Sequence, residues 1–174
     1  MMHLMKPALL IPALSLLLGA AQAERVKLAG TGLSLEVPAG FAKMPQDVID
    51  LKYSRGRPPG TVYSTPGPNW AVNIAFDRRD VAVKPGELKE IQGVLEKSVQ
   101  GVAGFRWVKR DLQTISGRPW VVMQFWVQGL NTTIYNDLRA TSDDGKLLIV
   151  TANVTRELYP QYAKSLSAAL DSLK

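Results

Sequence analysis

The sequence contains no cysteine, and its one histidine, His3, lies within the first 23 residues. The absence of thiols excludes cysteine nucleophiles, CxxC redox pairs, disulfides and thiolate metal sites. A chain without residues 1–23 also lacks histidine, which excludes Ser-His-Asp catalysis and HExxH metalloproteases. These absences argue against an enzyme, and we expect neither a cofactor nor a bound metal ion.

Long apolar runs are scarce as well. One such run, residues 8–18, follows Lys6 and is interrupted by Pro12, and small residues that end in Ala23 come after it. This order is typical of a secretory signal peptide with cleavage after Ala23. A membrane anchor is the alternative, but a spanning helix needs about 20 consecutive apolar residues. We therefore expect a periplasmic or secreted protein with no later membrane span.

Cleavage after Ala23 leaves residues 24–174, a length that suits a single domain with its own core. Cleavage removes Lys6 from the 21 basic residues, so 20 of them face 15 acidic ones. This surplus favours an anionic neighbour such as an acidic protein. Export argues against nucleic acid as a partner.

Hydrophobic periodicity predicts strands over 25–29, 33–37, 61–65 and 70–77, and a meander over 105–115, 120–128, 132–141 and 146–154. Residues 46–53 fit one or two helical turns. Apolar residues at three- and four-residue spacing predict two amphipathic helices, one from Pro85 to about Gly101 and one over 157–173. The pattern indicates an α+β fold, an antiparallel sheet of about six strands with both helices packed on one face.

The element order and four short segments carry a family resemblance. The segments are LSLEVPAGF, WAVNIAFD, ISGRPWVVMQFWV and DLRATSDDGKLLIVTANV, all within residues 25–173. Together they resemble the PsbP-like group, which includes the photosystem II protein PsbP and the bacterial envelope family DcrB. The resemblance implies an antiparallel sheet flanked by helices and a non-enzymatic role in binding or assembling other proteins. It implies no particular functional residue.

Alternation along the meander identifies a candidate partner-binding face. Apolar residues such as Val121 and Met123 should face the helices, so the intervening residues should lie on the opposite side of the sheet. That side would carry Trp120, Gln124, Trp126, Tyr135 and Arg139. Aromatic and arginine side chains supply much of the energy at protein interfaces. The alternative is that other elements cover these residues and the tryptophans belong to the core.

Basic residues recur in loops and at element ends, where a convergent set would bind an anionic surface. They are Arg55, Arg57, Arg78, Arg79, Arg106, Lys109, Arg110 and Arg118. Interleaved acids at Asp77, Asp80 and Asp111 favour scattered surface charge instead. Asp143 and Asp144 are too few oxygens for Ca²⁺, which takes six to eight ligands, so we interpret them as turn residues.

Two further functions stay open at this point. One is a carrier or sensor of a small ligand, a lipid or glycan fragment, in a pocket between sheet and helices. The other is a hydrolase that uses carboxylates alone, for example Asp77 with Asp80. The leading hypothesis is an exported, non-catalytic binding protein of the cell envelope. Its partner and its oligomeric state do not follow from the sequence.

Overall fold

The computed structural model describes residues 22–54, 56–66 and 70–174. The predicted signal peptide lies almost entirely outside these residues, and Arg55 lies outside them too. Nine strands and three α-helices are described. The strands are β1 (Glu24–Lys27), β2 (Ser34–Val37), β3 (Ala42–Lys43), β4 (Thr61–Ser64), β5 (Val72–Ala82), β6 (Arg106–Ile115), β7 (Arg118–Gln128), β8 (Thr133–Asp143) and β9 (Lys146–Thr155); the helices are α1 (Gln46–Lys52), α2 (Leu88–Gln100) and α3 (Tyr159–Asp171).

Seven strands form one antiparallel sheet in the order β3-β4-β5-β9-β8-β7-β6. Strands β6 to β9 form a meander in which each strand pairs with the next. Strand β5 pairs with β9 at the centre of the sheet, and β4 and β3 continue the sheet to its other edge. Strand β6 is one edge, and a bulge interrupts its pairing with β7 between Trp107 and Lys109. A separate hairpin consists of β1 and β2.

The two long helices lie on opposite faces of this sheet. On β9, Val150 and Ala152 pack with Leu170 of α3, whereas Leu147 and Ile149 share a core cluster with α2. Alternate residues of a strand point to opposite faces, so α2 and α3 sandwich the central strands. The expectation that both helices share one face is therefore wrong. The central strands carry apolar residues on both faces, so a helix must pack on each face to bury them.

The short helix α1 lies on the same face as α2 but over the other half of the sheet. Its buried Ile49 packs against Val62 of β4 and Ala75 of β5. The C-terminus is fixed on the α3 face, where the backbones of Ser34 and Lys174 exchange two hydrogen bonds of 2.8 and 3.1 Å. This pairing joins the β1–β2 hairpin to the end of α3.

The α+β class with an antiparallel sheet is confirmed, and the meander follows the predicted order. The sheet has seven strands because the two-residue β3 pairs with β4, a contact too short for periodicity to reveal. Helix α3 begins at Tyr159, since the pairing of β9 with β8 extends through Thr155 and keeps the chain extended there. None of the helices in the described part has the length and apolarity that a bilayer crossing requires.

Candidate functional site

The five residues of the predicted partner-binding face share the α3 side of the sheet. Strand β7 places Trp120, Gln124 and Trp126 there, and β8 places Tyr135 and Arg139 beside them. Trp126 lies directly opposite Tyr135 in the β7–β8 register, so the two side chains are nearest neighbours. The strand alternation therefore groups the residues as expected.

Helix α3 covers most of this group. Trp120, Arg139 and Tyr135 are 1%, 2% and 8% exposed, so these three cannot form an open docking surface. The correction has a simple cause, because α3 needs an apolar sheet face to bury its own leucines. Gln124 and Trp126 are half-buried. A partner-binding role for these two stays a prediction.

The buried members are held by specific contacts. The Tyr135 ring packs edge-on against Tyr159 at 4.8 Å and against Trp126 at 5.2 Å between ring centroids. Arg139 is paired with Asp137 at 2.7 Å and with Asp171 of α3 at 3.2 Å. Burial alone would lower the pKa of Arg139, but hydrogen bonding to the two carboxylates outweighs burial and raises it. These residues fasten α3 to the sheet.

A groove on the opposite face is the better candidate site. It lies between the end of α1 and the β7–β8 turn, above the ends of β5, β9 and β8, and its volume is about 1040 Å³. We call it the Leu51–Leu130 groove after the two leucines on its opposite banks. Large concave sites with a few convergent polar groups are where proteins most often bind ligands.

Polar side chains form the floor of the groove. Asn73 on β5 lies opposite Asn153 on β9, and Asn153 lies opposite Asn136 on β8. The three amides therefore cross three neighbouring strands in one row, and Asn153 Nδ2 donates to Asn136 Oδ1. An amide carries both donors and an acceptor. Asn73 and Asn153 line the groove, but Asn73 is 3% exposed and bonded to Tyr53 and to Trp70 O. Asn153 is therefore the amide of this row that can hydrogen-bond to a peptide backbone or to another amide-like group.

One bank of the groove is formed by α1 and the residue that follows it. The Tyr53 hydroxyl donates a long hydrogen bond of 3.4 Å to Asn73 Oδ1. Burial raises the pKa of Tyr53 to about 12, so its hydroxyl stays protonated at neutral pH. Lys52 and Arg57 also line this bank. The Arg57 guanidinium lies 3.6 Å from Asp77, which partly neutralises its charge.

The other bank is the turn between β7 and β8. The Thr132 hydroxyl lies 2.8 and 2.9 Å from the two carboxylate oxygens of Glu157 and donates to this carboxylate. Hydrogen bonds from its own backbone N–H and from Thr132 lower the pKa of Glu157. The Gly129 N–H donates to Thr132 O at 2.8 Å and closes the turn. A Cβ on Gly129 would lie 2.9 Å from that same oxygen, so any other residue here requires the turn to shift.

Leu51 and Leu130 are the most exposed large apolar residues of the described chain, at 79% and 89%. Both stand on the rim of the groove. Burying a leucine side chain completely is worth about 1.5–3 kcal/mol. The groove thus offers two apolar contacts above a polar floor.

The groove offers little for carboxylate-only hydrolysis. Glu157 is its one carboxylate among the described residues, whereas glycoside hydrolysis needs a facing pair. The acids considered from the sequence are occupied elsewhere, because Asp77 pairs with Arg79 at 3.0 Å and Asp80 with Lys146 at 2.8 Å. The buried Asp143 carboxylate lies 3.3 Å from Arg78. No group of three or more metal-ligating side chains occurs within residues 22–54, 56–66 and 70–174.

The sequence hypotheses missed the groove residues. A weak signal existed for Leu130, an apolar residue between Gly129 and Asn131 in a polar turn, where burial is not expected. Nothing in the local sequence indicates that Leu51 and Asn73 face this turn. Their proximity comes from the register of β5, β9 and β8, which brings together residues about eighty positions apart.

Comparisons with known proteins support the fold. No family model and no curated sequence matches the chain. Solved structures do: the solution structure of cyanobacterial PsbP (CyanoP) from Synechocystis sp. PCC 6803 superposes with a TM-score of 0.59 at 12% identity, covering 90% of this chain and 94% of that one. The predicted PsbP-like resemblance is therefore confirmed as a likeness of fold.

Two further structures share this fold. LpqN of Mycobacterium tuberculosis, described as involved in cell envelope biogenesis, has a TM-score of 0.56 at 14% identity and covers 88% of this chain and 90% of its own. The Saccharomyces cerevisiae Ran-binding protein Mog1p has a TM-score of 0.53 at 12% identity and covers 87% and 94%. The fold thus occurs in a cell-envelope protein and in a protein that binds another protein.

Proposed function

We propose that the protein is an exported, non-catalytic accessory protein of the bacterial cell envelope, periplasmic or secreted, and that it binds a partner protein in the Leu51–Leu130 groove. The observation that carries this proposal is the pair of exposed leucines on opposite banks of one groove. Solvent-exposed apolar side chains that flank a concavity mark interaction sites more often than isolated surface residues do.

The chemistry of the groove favours a protein segment as its occupant. The half-buried Asn153 amide uses its Nδ2 for Asn136, and its Oδ1 can accept from a backbone N–H of the segment. Leu51 and Leu130 can contact apolar side chains on either side. A segment bound in this way is recognised through its backbone and a few side chains. The absence of histidine and cysteine after Ala23 supports a binding role over catalysis.

Export is supported by the signal-peptide pattern of residues 1–23. The envelope role is supported by the shared fold with LpqN, and the binding role by the shared fold with Mog1p.

Site-specific photocrosslinking in living cells tests the proposal. The photoreactive residue p-benzoylphenylalanine replaces Leu51, Leu130 or, as the matched control, Val94. Val94 is also apolar and 63% exposed, but it lies on α2 and does not line the groove. We expect one discrete protein adduct from positions 51 and 130 and none from position 94. Equal adducts at all three positions, or none at 51 and 130, would refute a groove-bound partner.

A small-ligand carrier is the second candidate function, favoured by the size of the groove. Small-molecule sites are typically about 300–1,000 Å³, and this groove is of that order. Native mass spectrometry of the protein purified from its own cells separates the two functions. A bound small molecule that is lost when Leu130→Trp fills the groove would favour the carrier.

A further inference from the structure

The part of the α3 side that α3 leaves uncovered has a separate character. Strand β6 lies at the edge of the sheet, and its Arg106 and Lys109 are exposed. Arg106 lies opposite Trp126 in the β6–β7 register, and Lys109 lies opposite Gln124. Directly paired residues of neighbouring strands share a face. These four residues and Arg156 make up what we call the Trp126 patch.

Arg156 enters the patch from the segment between β9 and α3. Its guanidinium carbon lies 5.3 Å from the centroid of the Trp126 ring, within the range of a cation–π contact. Trp126 is fixed from beneath by Tyr135 and Tyr159, at 5.2 and 5.1 Å between centroids. The patch is therefore a supported aromatic ring with arginines beside it, a composition enriched at the centres of protein interfaces.

The pairing of the arginines distinguishes the Trp126 patch from the rest of the surface. The chain has ten arginines, of which Arg55 lies outside the described residues. Seven of the other nine pair with a carboxylate, namely Arg25, Arg57, Arg78, Arg79, Arg110, Arg118 and Arg139. Arg106 and Arg156 form no ion pair within the described chain, and both flank Trp126.

We infer that the Trp126 patch is a second docking surface, separate from the groove, and that its occupant is an acidic segment of a partner protein. Arginine guanidinium groups bind carboxylates through paired hydrogen bonds, and Arg106 and Arg156 are left available for this role. The Gln124 side chain donates to Asp137 at 2.8 Å, which orients its amide oxygen for a backbone N–H of the segment. The segment must avoid two acids, Asp111 on the same edge and Glu157, whose carboxylate interacts with the charge of Arg156.

A lipid surface fits the Trp126 patch less well than a protein segment does. Electrostatic adsorption to anionic lipid is typical of clusters of four to eight basic residues, whereas the patch holds three. Trp126 is half-buried and held by two tyrosines, so it is poorly placed to insert into a bilayer. Lipid binding is therefore an outcome that the test must distinguish.

Peptide selection tests this inference. The protein purified from cells expressing the 174-residue chain is used to select binders from a displayed library of random peptides. Arg106→Glu/Arg156→Glu is the test variant, and Lys43→Glu/Lys164→Glu is the control with the same charge change at exposed residues that form no ion pair in the described chain. Circular dichroism melting checks that each variant is folded.

We expect the selected peptides to be enriched in Asp and Glu. The affinity of a synthetic winner, measured by fluorescence anisotropy, should fall about tenfold or more for each lost arginine. The control variant should bind it within about threefold of the unmodified protein. The Arg106→Glu/Arg156→Glu variant should in turn select basic peptides, a gain that a merely destabilised surface would not show.

Three results would overturn the inference. The first is a selection without acidic enrichment, and the second is an equal loss of affinity in the control variant. The third comes from sedimentation with phosphatidylcholine vesicles that contain phosphatidylglycerol. Binding to these vesicles that depends on Arg106 and Arg156, without acidic peptide binding, would assign the Trp126 patch to lipid.

Discussion

The Arg139 guanidinium donates hydrogen bonds of 2.7 and 3.1 Å to the two carboxylate oxygens of Asp137, two residues earlier on β8. Both residues are buried, and Asp137 also accepts from Gln124. Arg139, which the sequence analysis placed on a partner-binding face, thus belongs to a buried ion pair beneath α3. The stability of the α3 side depends on this pair.

Removing Asp137 should destabilise the fold strongly. Asp137→Ala leaves the Arg139 charge buried without its main partner, which costs about 3–5 kcal/mol of unfolding free energy. Asp171→Ala is the matched control, because Asp171 also pairs with Arg139 but its side chain is 58% exposed, and it should cost less than about 1 kcal/mol. Urea unfolding followed by circular dichroism measures both. Equal losses would contradict the assigned role of Asp137.

A methyl group at Gly129 should disturb the turn that carries Leu130. The Cβ of Gly129→Ala would lie 2.8 Å from Ile134 Cδ1 and 2.9 Å from Thr132 O, so the turn must shift, at a cost of about 1–3 kcal/mol. Gly93→Ala on α2 meets nothing within 4 Å and should instead stabilise the protein by up to about 1 kcal/mol. Thermal denaturation of the two variants compares them, and a stabilised Gly129→Ala would show that the turn is not tight.

Tyr53 should make the protein less stable at alkaline pH. Its pKa rises from 10.0 to about 12 in the folded state because burial disfavours the phenolate. The folded state therefore holds the phenol proton more tightly than the unfolded state does. The resulting contribution of Tyr53 to the unfolding free energy is complete below pH 10 and is lost as pH rises from about 10 to 12.

Tyr53→Phe removes this dependence. The unfolding free energy of the variant should fall less than that of the unmodified protein between pH 9 and 11.5, roughly the window set by this shift. Tyr135, whose pKa burial also raises, remains in both proteins and cancels in the comparison. Parallel urea curves at both pH values measure the difference, and an identical alkaline loss in the two proteins would exclude a contribution from Tyr53.

The proposed export predicts a mature chain that begins at Glu24. Signal peptidases cleave after small residues, and Ala21 and Ala23 occupy the two required positions. Mass spectrometry of the protein recovered from the periplasm or the medium should show a chain of residues 24–174. Ala23→Pro should leave the uncleaved form in the membrane fraction. Recovery of the intact chain from the cytosol would contradict export.

Most of the sheet could be predicted from the sequence because β-branched and aromatic residues cluster in each strand of the meander, with turns such as Asp144-Gly145 between them. The placement of the helices could not. Val121 and Met123 favour one face, but Trp120 and Val122 are equally apolar, so local pattern does not reveal that α3 covers the second set.

The candidate sites were likewise predictable from the sequence only in part. Alternation correctly grouped Gln124 and Trp126 on one face, but burial depends on where α3 packs, which is a tertiary property. The Leu51–Leu130 groove depends on the pairing of β5 with β9, two strands that are separated in sequence by α2 and the first three strands of the meander. A single sequence carries no signal for such a contact.

The most direct test of the groove uses the partner protein that crosslinks to position 130. Isothermal titration measures its affinity for the unmodified protein and for the Leu51→Ser/Leu130→Ser variant. Both leucines are largely exposed, so the double variant should fold with nearly unchanged stability. The lost apolar burial of about 1–2 kcal/mol at each position predicts an affinity at least tenfold weaker. An unchanged affinity in a folded double variant would show that the partner does not occupy the groove.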